Sequence, residues 1–376
     1  MHKDPICHIT TVHAATDVRI YHKEISSLIK ASYPVTIIAP TNDKDHFEET
    51  FLLTILPLPK PVNRLVRFFK LMPMALSRAL QSNAILCHFH DPELIFLALF
   101  LKLMGRRVIW DVHEDLPEQV MNKQWIPRWL RPIVARAFDW LERSIARFFD
   151  AVVVATPSIS KRFKAARRVV VIQNFPKLEE MVVIDGVPYK NRPPHLVYIG
   201  GLTEIRGARE MVLAMGELAK KMPEAKLIFA GKFNPPQLEH LLNRLEGWSN
   251  VRFLGWVERQ EAIKLLKSSR GGLVLFHPVP NHTEAMPNKL FEYMAAGIPV
   301  IASDFPLWRE ILMRERAGLL VNPKDPKAIA EAMSWILEHP DEAEAMGRRG
   351  QKAVLERYNW ERESKKLLAL YEELLG

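Results

Sequence analysis

Short apolar segments that end in a polar or glycine-containing turn, each followed by a helical pattern, recur along the chain. Residues 6–12 form the first such segment and residues 21–30 the helix after it, and the alternation restarts at residue 195 after a linker, Asn191-Arg-Pro-Pro194. Strands that alternate with helices pair in parallel, because each helix returns the chain to the same end of the sheet. The sequence therefore predicts an α/β fold with two similar halves and mostly parallel sheets.

The composition is that of a globular chain without a membrane-spanning segment. Its 376 residues, of which 48% are hydrophobic, suffice for about two domains with substantial cores. Two cysteines, Cys7 and Cys87, cannot form a disulfide framework, and no secretory signal pattern precedes residue 6. The most apolar run, residues 94–104, is far shorter than the roughly 20 residues that span a bilayer. We therefore expect a cytoplasmic protein.

The positive charge is concentrated in the first half. Residues 1–190 contain 26 Lys and Arg against 19 Asp and Glu, whereas residues 191–376 contain 26 against 24. The excess favours an anionic partner: acidic lipid at the inner face of the cell membrane, a phosphorylated acceptor or, less favoured, nucleic acid. Because the sequence has no recognised nucleic-acid-binding module, we expect no nucleic acid as a partner. Residues 61–80 and 125–149 interleave aromatic residues with arginines, which is typical of an interfacial membrane helix and equally of a helix that covers a sheet. Both alternatives stay open.

Residues 284–300 carry the most specific pattern, a predicted loop, short helix and strand with the sequence EAMPNKLFEYMAAGIPV. Pro287 suits the first helical turn, and Gly297 is placed to end the helix. Backbone N–H groups at the start of a helix have no helical partner and, together with the helix dipole, form a site for a phosphate. The predicted groups are those of Asn288, Lys289 and Leu290, to which Lys289 adds its own charge.

Two glutamates flank this predicted anion site. The side chain of Glu292 leans toward the N-terminus of the helix and so toward the phosphate. A carboxylate there can accept hydrogen bonds from ribose hydroxyls, and Glu284 on the loop can accept them from a sugar beyond the phosphates. The alternative is an ordinary amphipathic helix with solvated charges. The pattern favours a nucleoside diphosphate sugar as the ligand.

A second phosphate-binding pattern lies where the second half begins. The strand after residue 195 ends in Gly200 and Gly201, and Arg206 directly precedes the next helix. Glycines allow the backbone to approach phosphates closely, and an arginine at this point can reach the same diphosphate as Lys289. We therefore predict that these three residues bind the donor.

Polar side chains follow the predicted strands of the first half. Ligands in open parallel sheets bind beyond the carboxyl ends of the strands, so these side chains are candidates for contact with an acceptor. They are Asp17, Arg19, His90, Asp91 and Glu114. A helix N-cap at Asp17 and a solvated Arg19 fit the sequence about as well. His88, His90 and His113 do not have the spacing of a recognised zinc motif, so we expect no metal.

The two glutamates eight positions apart, with Pro-Asn-Lys between them and Met-Ala-Ala-Gly-Ile-Pro-Val behind, resemble the donor-site signature of the retaining GT-B glycosyltransferases of family four. The resemblance implies two facing Rossmann-like domains, with residues 1–190 binding the acceptor and residues 191–357 the nucleotide sugar. Residues 358–376 resemble the closing helix, which crosses back onto the first domain. The first turn departs from the family in lacking glycines, and Gly201 stands where the family commonly has an arginine.

The resemblance also implies a reaction. A sugar would move from a UDP-sugar or GDP-sugar with retention of anomeric configuration and without metal or other cofactor, and His113 and Glu284 would be the catalytic residues that position the sugar. The segments Met-Pro-Asn-Lys and Asp-Val-His-Glu-Asp resemble the corresponding segments of enzymes that build bacterial surface polysaccharides. Those enzymes often use a lipid-linked acceptor. The alternatives are a GT-B sugar-nucleotide epimerase and a non-enzymatic protein that binds anionic polymers.

Overall fold

The computed structural model describes residues 3–42, 45–47, 50–61, 63–113, 115–121, 123, 126–182 and 187–376. It divides into two units, Met1–Asn174 with Trp360–Gly376 and Phe175–Asn359. Each unit is a parallel sheet with helices, which confirms the predicted α/β class. The boundary predicted at residue 190 is too late, because Phe175 and Met181 are buried in the core of the second unit.

The first unit contains a seven-stranded sheet in the described part of the chain. The strands are β1 (Ile6–Ile9), β2 (Val35–Pro40), β3 (Leu53–Leu58), β4 (Leu86–Phe89), β5 (Arg107–Val112), β6 (Ala151–Val154) and β7 (Val169–Val171). They lie in the order β3-β2-β1-β4-β5-β6-β7, and each neighbouring pair is parallel. Every residue of β1, β2, β4 and β6 is buried, as expected for a parallel sheet covered on both faces.

Helices cover the two faces of this sheet. They are α1 (Ser26–Lys30), α2 (Arg64–Val66), α3 (Met72–Gln81), α4 (Ile95–Leu103), α5 (Leu116–Met121), α6 (Arg131–Ala146) and α7 (Pro157–Ser160). Four segments of π or 3-10 helix adjoin these helices: Val18–Ile25 before α1, Arg67–Leu71 between α2 and α3, Pro92–Leu94 before α4 and Lys161–Phe163 after α7. Side chains of α3, α4 and the end of α6 pack on one face together with Phe89 and Trp110, and the first helix packs on the other face with Ile37 and Ile109.

The second unit repeats this architecture with six described strands. They are β8 (His195–Ile199), β9 (Lys226–Ala230), β10 (Val251–Phe253), β11 (Gly271–Val274), β12 (Val300–Ser303) and β13 (Gly318–Val321), in the order β10-β9-β8-β11-β12-β13, all parallel. The helices are α8 (Leu178–Val182), α9 (Ala208–Ala219), α10 (Gln237–Leu242), α11 (Arg259–Ser268), α12 (Pro280–Thr283), α13 (Asn288–Ala295), α14 (Pro306–Glu315), α15 (Pro326–Glu338) and α16 (Pro340–Glu356). Three 3-10 turns complete the unit: Tyr189–Asn191, Glu204–Arg206 and Glu246–Asn250.

The closing helix, α17 (Trp360–Leu375), belongs to the first unit. Trp360 Nε1 donates to Ser27 Oγ at 2.9 Å, and Glu363 accepts a hydrogen bond from the Gln173 amide at 2.9 Å. Tyr371 is fully buried on the sheet face that α1 also covers, so the helix completes the core of that face. Within the described residues, no helix combines the length and the apolar character needed to cross a membrane.

Candidate functional site

The start of α13 leaves two backbone amides without a partner among the described residues. Pro287 directly precedes the helix in an extended conformation, and no side chain caps the N-terminus. The Leu290 amide donates to the Pro287 carbonyl at 3.0 Å, so only the amides of Asn288 and Lys289 remain at the positive end of the helix dipole. The prediction that Leu290 binds the donor is therefore wrong, because its amide is engaged and its side chain lies in the core.

The other end of α13 is closed as the sequence predicts. Gly297 has a φ of +71°, its amide donates to the Met294 carbonyl at 3.0 Å, and the Ile298 amide donates to the Tyr293 carbonyl at 3.2 Å. This pair of bonds is a Schellman motif, which favours glycine at the left-handed position. The Tyr293 hydroxyl also accepts from the Ile199 amide at 2.9 Å, so the helix is fixed to the end of β8.

Two cations of the second unit converge on the backbone that follows β8. A Cβ atom at Gly200 would lie 2.9 Å from Lys289 Nζ, and a Cβ atom at Gly201 would lie 3.0 Å from Arg206 Nη1. Gly200 also has a φ of +126°, which glycine adopts far more readily than other residues. The structure thus brings the four predicted residues Gly200, Gly201, Arg206 and Lys289 to one place, next to the N-terminus of α13 that carries Lys289.

The Lys289 ammonium is surrounded by aromatic side chains. Its Nζ donates to the Tyr198 hydroxyl at 3.0 Å and lies 4.2 Å from the centroid of that ring and 5.3 Å from the Phe276 ring. The guanidinium carbon of Arg206 is 5.5 Å from the same Phe276 ring. Burial, together with the charge of Arg206, lowers the pKa of Lys289 to about 7. An anion bound beside these two cations is expected to restore the Lys289 charge.

Glu292 is oriented by an arginine that sequence reasoning missed. Arg259, the first residue of α11, donates to Glu292 Oε1 at 2.5 Å and to Glu180 Oε2 at 3.0 Å. No motif marks Arg259, and only the fold brings it beside α13. The ribose-binding role of Glu292 stays a prediction. Glu284 is exposed at the C-terminal end of α12, just before the loop that leads into α13.

In the first unit, Asp91 organises the turn after β1. Its Oδ2 accepts from the Thr10 hydroxyl at 2.9 Å, the Thr11 amide at 2.5 Å and the Val12 amide at 3.2 Å. Because only 1% of Asp91 is exposed, it shapes this turn instead of contacting an acceptor as predicted. Asp17 accepts from the amides of the two residues at positions 19 and 20, which confirms the N-cap alternative for it.

Arg19 is an interior residue. Its guanidinium donates to Asp111 Oδ2 at 3.0 Å through Nε, to Asp111 Oδ1 at 2.9 Å through Nη2 and to the Ile172 carbonyl at 2.9 Å through Nη1. Glu24 Oε1 also lies 3.1 Å from Arg19 Nε. The prediction that Arg19 contacts an acceptor is wrong, and so is the solvated alternative, because Asp111 is buried within β5 and requires a buried cation.

This guanidinium faces two buried carboxyl groups whose pKa values are shifted in opposite directions. Burial alone would raise the pKa of Asp111, but Arg19 and His113 hold that pKa well below its usual range. Burial and the neighbouring Asp111 charge raise the pKa of Glu24 well above its usual range. The guanidinium therefore lies beside one carboxyl group that is held ionised, Asp111, and a second, Glu24, whose charged form is disfavoured.

Three buried histidines and a tyrosine form a hydrogen-bonded chain that ends on Asp111. The contacts are His88 Nδ1 to Tyr371 Oη (2.7 Å), Tyr371 Oη to His8 Nε2 (3.1 Å), His8 Nδ1 to His90 Nε2 (2.9 Å) and His90 Nδ1 to Asp111 Oδ2 (3.2 Å). Burial lowers the pKa of His8 and of His88, so both rings are neutral. If each Nδ1 carries the proton, every bond in the chain has one donor and one acceptor. His90 therefore belongs to the interior and does not contact an acceptor as predicted.

His113 follows β5 and is the member of this network nearest to solvent, with 16% of its side chain exposed. Its ring stacks on His90 at 5.4 Å between centroids, and its Nδ1 lies 3.4 Å from Asp111 Oδ2. Burial lowers the pKa of His113 to about 3 even though Asp111 opposes the shift. The ring is neutral at pH 7 and can position a hydroxyl by a hydrogen bond. The next predicted residue, Glu114, lies outside the described residues.

Two overlapping groups contain side chains of metal-binding types. They are His8, Glu24, His88 and His90, and His90, Asp111 and His113, with donor atoms within 4.8 Å of one another. His8 and His90 use both ring nitrogens in the chain of hydrogen bonds, and Arg19 already supplies a cation to Glu24 and Asp111. This geometry fits a hydrogen-bonded network better than a metal site.

Two family models match the chain. Residues 20–174 match the glycosyl transferase 4-like domain, and residues 185–353 match the glycosyl transferases group 1. Together the matches cover most of the chain, which therefore belongs to the GT-B glycosyltransferases of the family-four type.

Individual relatives agree with this family. The chain is 24% identical over 284 residues to the D-rhamnosyltransferase WbpZ of Pseudomonas aeruginosa, which covers 73% of this chain and 70% of the relative. It is 28% identical over 196 residues to the phosphatidyl-myo-inositol mannosyltransferase of Mycolicibacterium smegmatis, over 52% of this chain and 48% of the relative. The match thus spans only about half the length of the second relative.

Solved structures share the fold across the whole chain. Sucrose-phosphate synthase from Thermosynechococcus elongatus superposes with a TM-score of 0.78 at 20% identity, covering 99% of both chains. The Anabaena protein HepE in complex with UDP-glucose superposes with a TM-score of 0.72 at 13% identity, covering 98% of this chain and 100% of its own. At these identities the similarity shows the GT-B fold alone.

The buried Arg19 should dominate the stability of the first unit. We expect Arg19→Met to lower the free energy of unfolding by about 3–5 kcal/mol, because it leaves the Asp111 charge buried without its partner. The matched variant Arg348→Met removes an arginine whose side chain is 75% exposed beside Glu344, and should cost less than about 1 kcal/mol. Urea denaturation measures both.

The sign of the pH dependence provides a second test of this variant. Without Arg19, burial raises the folded-state pKa of Asp111 above its unfolded value, so stability is lost as pH rises through that range. The defect of Arg19→Met should therefore be smaller at about pH 5 than at about pH 8. An equal defect at both pH values would contradict the assignment of an ionised Asp111.

The lowered pKa of Lys289 predicts proton uptake on binding of a diphosphate. At about pH 8 a lysine with this pKa is mostly neutral, and a bound anion raises its pKa, so binding of UDP or GDP should take up close to one proton. Calorimetric titration in two buffers with different ionisation enthalpies measures this uptake. It should disappear in Lys289→Met, and uptake that persists in the variant would assign the proton to another group.

Proposed function

We propose that this chain is a retaining glycosyltransferase that moves a sugar from a UDP-sugar or GDP-sugar to a lipid-linked or saccharide acceptor, without a metal ion. The observation that carries the proposal is the convergence of Arg206 and Lys289 on the Gly200–Gly201 backbone, beside the amides at the start of α13. Two cations in one partly buried place are stabilised by an anion, and a diphosphate offers each of them an oxygen. The complex of HepE with UDP-glucose supports a nucleotide sugar as the donor.

The same residues account for catalysis in this proposal. Breaking the anomeric bond leaves negative charge on the departing diphosphate, so Arg206, Lys289 and the helix amides stabilise the transition state more than the ground state. Lys289 contributes most when protonated, and the growing negative charge favours its protonated form. This electrostatic stabilisation serves the purpose of a metal ion at the leaving group.

His113 and Glu284 position the reacting sugar in this proposal. In this reaction the acceptor hydroxyl attacks the anomeric carbon from the same face that the diphosphate leaves. The leaving phosphate oxygen then accepts the proton of that hydroxyl. A neutral His113 forms a hydrogen bond to a sugar hydroxyl without transferring a proton, which its low pKa favours. Asp111 and the histidine chain hold the ring in place, and they are positioning residues.

The acceptor is proposed to be a sugar attached to a lipid carrier, or a free saccharide, in the synthesis of a cell-surface polysaccharide or glycolipid at the inner face of the membrane. The mannosyltransferase relative is named for a phosphatidyl-myo-inositol acceptor, which supports a lipid-linked substrate for this chain. The positive charge of the first unit fits a phosphorylated carrier.

Ligand-dependent stabilisation tests the donor half of the proposal. In a thermal-shift panel of UDP, GDP and ADP with their common sugars, one nucleotide should stabilise the wild type, by about 2.7 kcal/mol at a ligand concentration of 100 times Kd. Lys289→Ala and Glu292→Ala should lose most of this shift. The exposed residues Lys327 and Glu331 on α15 offer matched controls, and Lys327→Ala and Glu331→Ala should keep it.

The product identifies the reaction. With the stabilising donor and an extract of lipid-linked acceptors, the linkage formed should keep the anomeric configuration of the donor, as read from proton NMR coupling constants. An inverted linkage would contradict retention. A change of the sugar in the absence of any acceptor would indicate an epimerase, and no stabilisation by any nucleotide would contradict the donor site itself.

A further inference from the structure

The helices that cover one face of the first sheet present large apolar side chains to solvent. On α4 these are Phe96, Phe100 and Leu103, at spacings of four and three residues, with Leu103 79% exposed. They lie opposite the buried residues Leu97 and Leu101, so α4 is apolar on both its inner and its outer side. Burial against the sheet explains the inner side only.

The outer side of α6 combines apolar and cationic side chains. Ile133, Arg136, Trp140, Arg143 and Arg147 follow one another at spacings of three and four residues, which places them on one stripe of the helix. All five are exposed, and Trp140 is 69% exposed. The sequence left open that the aromatic residues of this segment pack on the sheet. Trp140 does not, because it is exposed.

The segment before α3 continues this surface. Leu65, Phe68 and Phe69 are exposed, and the two phenylalanine rings contact each other at 5.5 Å between centroids. Two ion pairs link the helices that carry the exposed residues. Arg67 Nε lies 2.8 Å from Glu93 Oε1 at the start of α4, and Lys102 Nζ at its end lies 2.7 Å from Asp150 Oδ1 just after α6.

The charge of this surface is positive. The nearby carboxylates are paired, since Glu93 and Asp150 have the partners just given and Asp139 and Glu142 both accept from Arg162. Exposed cations that have no carboxylate within ion-pair distance among the described residues remain on the surface. They are Lys70, Arg128, Arg136 and Arg147.

The described part of the second unit has no comparable group of exposed apolar side chains on adjacent helices. Its exposed large apolar residues are scattered over separate elements, with Leu241 on α10, Met313 on α14 and Leu355 on α16. Single exposed apolar residues are ordinary on a protein surface, whereas a set on adjacent helices indicates an interaction site.

We propose that this outer face, defined by residues 65–70 and the exposed sides of α4 and α6, docks on the anionic headgroup region of a lipid bilayer. Tryptophan and phenylalanine enter the boundary between headgroups and acyl chains, and arginine and lysine beside them pair with lipid phosphates. A second copy of this chain fits less well, because a symmetric interface through this face would bring its unpaired cations together. The inference is independent of the donor site, since it uses no residue of the second unit.

Vesicle flotation tests the proposal with the full-length chain. The wild type should float with vesicles of phosphatidylcholine and phosphatidylglycerol, bind phosphatidylcholine alone at least about tenfold more weakly, and be released by salt. Trp140→Ala and the double variant Arg136→Glu/Arg147→Glu should each lose most of the binding. Trp256 in the second unit is 65% exposed, so Trp256→Ala is the matched control and should bind as the wild type does.

The proposal is overturned if the wild type fails to float, or if the α6 variants bind the vesicles as tightly as Trp256→Ala does. It is also overturned if light scattering reveals a dimer that Trp140→Ala dissociates. Circular dichroism and nucleotide-induced thermal shifts confirm that the variants are folded, because their substitutions lie on exposed positions outside the second unit. A loss of nucleotide binding without loss of flotation would contradict the proposed reaction and leave the membrane surface intact.

Discussion

The arrangement of the second unit depends on two cationic side chains that lie close together at the end of β8. Arg206 and Lys289 both reach the Gly200–Gly201 backbone, where a Cβ atom at either glycine would lie within 3.0 Å of the end of one of these side chains. The cost of this proximity is visible in the lowered pKa of Lys289, which burial and Arg206 cause together. A bound anion would stabilise both cations, and the negatively charged oxygens of a diphosphate can pair with each of them.

The first unit follows a different physical rule, in which buried charges are satisfied internally. Arg19 is bound by Asp111 and lies beside Glu24, and a chain of hydrogen-bonded histidines extends from Asp111 to Tyr371 on the closing helix. Among the described members of this network, His113 is the one that reaches the surface. The hydrogen bonds of Tyr371 to His88 and His8 tie the helix that closes the chain to the same core.

The sequence predicted the fold class, the residues that meet at the end of β8 and the end of α13, because glycines, capping patterns and charged residues near them act locally. It did not predict β3, whose Pro57 argues against a strand and is tolerated because β3 lies at the edge of the sheet. It also placed Arg19 and His90 at the surface, since a polar residue near a strand end gives no sign of a buried partner far along the chain. Arg259 went unnoticed for the same reason, because its contact with Glu292 joins two elements that only the tertiary fold brings together.

Hydrogen exchange with mass spectrometry, with and without UDP or GDP, tests the central claim most directly, because backbone amides are themselves part of the proposed anion site. The account predicts that the donor nucleotide slows exchange in peptides covering residues 198–207 and 284–296, which contain the two glycines, both cations and the start of α13. Slowing confined to the first unit, or no slowing with either nucleotide, would contradict the assignment of this site to a nucleotide sugar.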